Sequence, residues 1–219
     1  MIGYIVLGAV SFFISLLCFF IWLIRSGVIT GSIGSGKSTV VNLIHETDPD
    51  IVIIDSDKIA REILQPGESA YSEVVKEFGS EILVGAEIDR KKLAEIVFSD
   101  SSKRRVLNSI THWRVFCRIF ARLIKARLTQ RRVLIDMPLF FEVIPRNFRV
   151  LFNPIILVFC DERLKISRVM KRDRVDEVFV RKRLESQMSD SVKLPLAHIL
   201  LENSGNIDQL RLKIANKLF

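Results

Sequence analysis

Eight consecutive residues, Gly31-Ser32-Ile33-Gly34-Ser35-Gly36-Lys37-Ser38, satisfy the spacing G-x-x-x-x-G-K-[ST] at every position. No other feature restricts the fold of this chain so strongly. Glycines let successive backbone N–H groups close around a phosphate, and a helix starting at the end of the loop adds its positive dipole end. Lys37 is placed to reach β- and γ-phosphates, and the Ser38 hydroxyl to ligate Mg²⁺. Gly27 to Thr30 read as the strand entering the loop, and Thr39 to Ile44 as the start of the helix leaving it. Residues Gly31 to Thr39 are therefore expected to bind a nucleotide, with ATP and Mg²⁺ as the ligands.

Further short apolar runs follow: Ile51 to Ile54 closed by Asp55, Val133 to Ile135 closed by Asp136, Ile155 to Phe159, and His198 to Leu201. They are continuous rather than alternating, which suits strands covered on both faces of a parallel sheet. With helical patterns between them, they predict a doubly wound, five-stranded parallel α/β sheet. The stretch between the second and third strands is too long for one crossover helix. It reads as a helical insert over about residues 65–130, with an amphipathic helix from Lys103 to Gln130. Its apolar stripe is predicted as Val106, Leu107, Ile110, Phe116, Phe120, Leu123 and Ile124. Arg114, Arg118, Arg122 and Lys125 share another face of it, available to acceptor phosphates or anionic lipid.

Composition is uneven. Of all residues 49% are apolar, yet Ile2 to Ile24 hold no charge at all. Roughly 20 apolar residues match a bilayer's hydrocarbon thickness, and Tyr4 and Trp22 stand near the ends of the run. A cleavable signal would have a basic n-region and a shorter apolar stretch. Residues 1–25 are thus expected to form a single transmembrane helix, membrane contact being made through residues 2–24, and residues 26–219 a kinase domain. Arg25 and the downstream lysines and arginines would place that domain in the cytosol, on the endoplasmic reticulum or mitochondrial outer membrane. The net charge of +8 suits anionic membranes or phosphorylated small molecules; no nucleic-acid partner is expected. Cys18, Cys117 and Cys160 are widely spaced and imply neither a disulfide framework nor a zinc site.

No N-K-x-D sequence accompanies the loop, which argues against a GTPase. A small-molecule kinase needs a carboxylate on the acceptor side and arginines that close over the phosphates. Asp57, at the carboxyl end of the second strand, is the candidate base, and Asp55 a support or metal ligand; either residue could instead cap the following helix. Between the fourth and fifth strands, over a lid of about residues 165–190, Arg168 and Arg172 lie four apart on one helix face, suited to a highly charged transition state.

Several runs together resemble the dephospho-CoA kinase family: the loop itself, Ile54 to Gly67, Phe78-Gly79, Ile135 to Glu142, Arg168 to Gln187, and Glu202-Asn203-Ser204-Gly205. They span residues 27–219, and Val158 to Asp161 and Asn203 to Gly205 are worded as in the eukaryotic branch. The resemblance implies transfer of the ATP γ-phosphoryl group to the ribose 3′-hydroxyl of dephospho-CoA. It also implies Asp57 as base, Arg168 and Arg172 as lid residues, and Asn203, Ser204 and Gly205 near the adenine. The chain departs from the pattern at Ser32, where the family usually has glycine, at Trp113, where it has proline, at Gly85 to Arg90, which is one residue short, and in its N-terminal lead. Another small-molecule kinase, or a membrane-tethered nucleotide-binding protein that has lost catalysis, are the competing readings.

Overall fold

The computed structural model describes residues 25–129 and 131–218. Its described residues form two compact units, one of residues up to Ile54 and from Ile124 onward, the other Asp55–Leu123. Residues 2–24, assigned above to a membrane span, lie outside the described residues. Among the described residues no helix is long and apolar enough to cross a membrane.

The first unit is built on strands β1 (Ser26–Thr30), β2 (Val52–Asp55, its last residue in the second unit), β5 (Val133–Asp136), β6 (Phe152–Phe159) and β7 (Ile199–Glu202). They form one sheet in the order β2-β5-β1-β6-β7, and the pairs β1–β5, β1–β6 and β6–β7 are parallel. The continuous apolar runs behave as expected: Val28, Ile29, Leu157 and Val158 are all fully buried. The fifth strand begins one residue later than His198. His198 instead joins the chain to β6, its Nδ1 accepting from Ile155 N at 3.0 Å and its own N–H donating to Ile155 O at 2.9 Å.

Helix α1 (Lys37–Thr47) and helix α10 (Ile207–Leu218) pack Val40, Leu43, Ile44, Leu210 and Ile214 with Ile29, Leu134, Ile156 and Leu201 into one core. A smaller cluster, Ile166, Val169 and Val180 with Ile33 and Leu184, joins α7 (Glu162–Asp173) and α8 (Glu177–Glu185) to the phosphate loop. The short helices α6 (Phe140–Val143) and α9 (Asp190–Lys193) complete the unit.

The second unit contains α2 (Ser56–Glu62), α3 (Ser69–Phe78), the small antiparallel pair β3 (Leu83–Val84) and β4 (Glu87–Ile88), α4 (Arg90–Ser99) and most of α5 (Ser101–Leu128). Helix α5 buries Ile110, Ile119, Leu123 and Ala126, whereas Phe116 is exposed and stacks between Trp113 and Phe120. The sequence stripe thus included one aromatic that faces outward. Nor is the basic face of α5 available as expected. Arg114 pairs with Glu73 at 2.7 Å, Arg118 with both oxygens of Glu68 at 3.1 and 2.9 Å, and Arg122 with Glu62.

Candidate active site

Register places the chemistry of the first unit. Pairing Ile29 with Asp136 across β1 and β5 brings the carboxylate that ends β5 level with the end of β1, just before the phosphate loop. There the Lys37 ammonium donates directly to Asp136 Oδ1, and Asp136 is only 7% exposed. The sequence reading noted Asp136 merely as the close of a strand. Its signal was available, an acidic residue at the carboxyl end of an apolar run, but the strand order that makes it Lys37's neighbour was not.

Helix α1 starts at Lys37 because Gly36 turns the chain with φ 82°, a backbone state natural only to glycine. No side chain caps this helix and its first turn holds no acid. Thr39 N and Val40 N donate to Gly36 O at 3.0 and 3.2 Å, so no side chain competes with an anion for the N–H groups that precede them. A β-carbon on Gly36 would also lie 2.0 Å from Asn203 Nδ2. Gly36→Ala is therefore expected to abolish measurable nucleotide binding and lower the melting temperature; binding near the wild-type value would show that the loop relaxes freely at this point. Ser38 and Thr39 are exposed at the mouth of the helix.

Asn203, Ser204 and Gly205 follow β7. Ser204 and Gly205 are exposed, but Asn203 is buried and its Nδ2 donates to Ser35 O at 2.9 Å. Arg168 donates through Nη2 to Asn203 O at 3.0 Å and through Nη1 to Cys160 Sγ at 3.4 Å. Burial, the largest influence on Cys160, pushes its thiol pKa up, so Arg168 faces a neutral acceptor there. Arg168 and Asn203 therefore brace the phosphate loop from outside. Removing a buried amide that satisfies a loop carbonyl costs about 1–3 kcal/mol. Asn203→Ala should accordingly raise KM for ATP roughly ten-fold or more while kcat changes less, as measured by initial rates at varied ATP.

Arg172 does not join this group. It makes a two-point contact with its neighbour Asp173, at 2.7 and 2.9 Å, which holds the Asp173 carboxyl below its usual range and raises the Arg172 pKa. In the second unit Asp55 accepts from Lys58 N at 2.8 Å, capping α2, with Arg61 4.0 Å from its other oxygen. Asp57 is exposed in the first turn of that helix.

Sequence reasoning also missed a buried ionic group behind the loop. Lys193 is fully buried and Lys165 6% exposed; they pair with Glu142 at 2.9 Å and Asp190 at 2.5 Å respectively.

A parallel sheet with its phosphate loop after the central strand, a lysine from that loop on a strand-end aspartate, and a helical unit beside it in sequence define a P-loop kinase fold. The chain belongs to the dephospho-CoA kinase family, whose model matches residues 27–209. It is 36% identical to a dephospho-CoA kinase of Oceanobacillus iheyensis over 87% of this chain and 94% of that one. It is 35% identical to a dephospho-CoA kinase of Oryza sativa over 87% and 81%. The solved dephospho-CoA kinase of Campylobacter jejuni superimposes with a TM-score of 0.65 at 26% identity, covering 87% of this chain and 94% of that one.

These findings leave one expectation unsupported and correct another. Bacterial and plant relatives are about equally similar, at 36% and 35% identity, which lends the eukaryotic branch no support. The membrane-anchored, single-pass, cytosol-facing localisation is overturned. The relatives are named plainly as dephospho-CoA kinases; residues 2–24 themselves lie outside the described residues. That reading rested on the apolar run, the aromatics Tyr4 and Trp22 near its ends and the positive charges from Arg25 onward.

Proposed function

We propose that this chain transfers the γ-phosphoryl group of ATP to the ribose 3′-hydroxyl of dephospho-CoA, forming CoA. The observation that carries the reading is the family match over residues 27–209, which takes in the helical unit as well as the phosphate loop. The N–H groups of the loop and of the first turn of α1 hold the β-phosphate. Lys37 moves from Asp136 toward the γ-phosphoryl oxygens as their charge redistributes, where a preorganised cation lowers the barrier most. Arg168 and Arg172 close over the same oxygens, Arg172 by leaving Asp173. Asp57 orients the acceptor hydroxyl and accepts its proton. Asn203, Ser204 and Gly205 border the adenine, with Asn203 acting mainly through Ser35. Residues of the insert, about 65–130, serve the acceptor.

The residues present fit Mg²⁺. Among the described residues no three His, Cys, Asp or Glu side chains gather as a metal cage. Mg²⁺ at nucleotide sites is held largely by phosphates and water with one or two protein oxygens. Ser38 would supply an exposed hydroxyl and Asp136 a carboxylate in the same unit, while Asp55, expected as the metal ligand, is engaged in capping α2. Held by these residues, Mg²⁺ would supply charge neutralisation at the phosphoryl oxygens.

ADP release measured with and without dephospho-CoA tests the reading. Release that depends on dephospho-CoA, with CoA as the second product, supports it. Release driven by another acceptor, or none, would replace it with one of the competing readings.

A further inference from the structure

Lysine is among the residues least often buried fully, yet Lys193 has no exposed surface. Its ammonium donates to Ser32 Oγ at 3.3 Å and pairs with Glu142 Oε1 at 2.9 Å. The same Glu142 oxygen accepts from Met188 N at 2.9 Å. Ser32 Oγ in turn donates to Asp190 Oδ1 at 2.6 Å, and the other oxygen of Asp190 accepts from Lys165 Nζ at 2.5 Å. Beside them Ile33 N donates to Gln187 Oε1 at 3.0 Å. Two ammonium groups and two carboxylates thus balance around one hydroxyl.

The placement of these bonds matters more than their number. Lys165 lies one turn before Arg168 on α7, and Gln187 to Lys193 form the chain returning from α8. Both stems of the α7–α8 hairpin, which carries the transfer arginines, are therefore tied to Ser32 and Ile33 in the wall of the phosphate loop. Glu142 adds the segment that follows Asp136. A glycine at position 32 has no hydroxyl to offer, so this junction depends on the serine present here. Filling the space alone would need only an apolar side chain; an ammonium with two polar partners fixes direction as well.

We infer that Lys193, acting through Ser32, Glu142 and Asp190, is a positioning residue that locks the stems of the α7–α8 hairpin to the phosphate loop. The inference rests on the kinase reading above. The lock keeps Arg168 over the transferring group and water away from it, so that the acceptor hydroxyl outcompetes hydrolysis. The side-chain bonds above are made to Ser32 and Ile33 and none of them to Lys37. Ser32 O meets the loop's N–H groups only at Ser35 N, 3.1 Å away, and so the lock governs turnover and coupling more than ATP affinity.

The test compares wild type, Lys193→Met and Asp190→Asn for kcat, KM for ATP, and the ratio of ADP to CoA formed at saturating dephospho-CoA. The double variant Lys193→Met/Glu142→Gln removes the buried pair together and guards against misfolding from an isolated carboxylate. Small displacements of reacting groups cost up to about 100-fold in rate. Lys193→Met and the double variant should therefore lose roughly 10–100-fold in kcat, with KM for ATP within about three-fold and an ADP-to-CoA ratio above that of wild type. Asp190→Asn should move the same way by less. A purely structural role would lower the melting temperature and leave the ratio alone. Folded variants with wild-type kcat and ratio, where wild type makes CoA, overturn this inference alone. A wild type that makes no CoA overturns the kinase reading, and this inference with it.

Discussion

Lys37→Ala is expected to lower kcat for CoA formation by roughly 10²–10³-fold or more, the range seen when a preorganised charge donor is removed from a transition state. The effect should exceed any change in KM for ATP. Loop N–H groups bind the β-phosphate whether or not the ammonium is present, whereas the γ-phosphoryl charge redistributes only during transfer. The structure adds a complication. Lys37 sits on Asp136, and both side chains are largely buried, 13% and 9% exposed. Alanine leaves that carboxylate without its lysine, and breaking such a pair costs about 3–5 kcal/mol. Part of any activity loss could then be unfolding. Rates should be normalised to folded protein by circular dichroism, and Lys37→Ala/Asp136→Asn measured beside the single variant. The double variant should regain melting temperature while kcat stays low. Recovery of kcat along with stability would mean that Lys37 serves the fold and not the transfer.

The parts of this molecule that could be read from sequence are those fixed by local chemistry. Gly31 to Ser38 dictate a strand, a tight loop and a helix because only glycine tolerates the backbone at Gly34 and Gly36. Val28-Ile29 and Ile155 to Val158 read as buried strands because both faces are covered. What could not be read depends on pairing across the chain. Asp136 meets Lys37 only through the order β5-β1, and 99 residues separate them. Lys165 and Lys193 look like surface charges in a basic sequence, since nothing local reveals that Asp190 and Glu142 lie opposite them. Arg114, Arg118 and Arg122 looked free for the same reason: their partners Glu73 and Glu62 are on preceding helices and Glu68 is the N-cap of one of them. The N-terminal run shows the converse error, an intrinsic property of residues 2–24 extended to the localisation of the whole chain.

Asp57→Asn should reduce kcat by roughly 10²–10⁴-fold, the usual worth of a positioned general base, with little change in KM for ATP. Asparagine keeps the volume and can still orient a hydroxyl, so the loss reports the proton acceptor itself. Asp55 provides the internal comparison, being two residues away in the same unit. Its Oδ1 caps α2 through Lys58 N, and asparagine caps a helix about as well as aspartate. Asp55→Asn should therefore keep both the melting temperature and most of kcat. Asp55→Ala, which removes the cap, should cost about 1 kcal/mol of stability with kcat per folded molecule largely kept. These three variants separate charge from capping, because capping survives in one Asp55 variant and is lost in the other. If Asp55→Asn were the crippling change and Asp57→Asn mild, the reaction would need a negative charge at position 55. Asp55 would then be the base or metal ligand, and its bond to Lys58 would be the resting arrangement of a catalytic carboxylate.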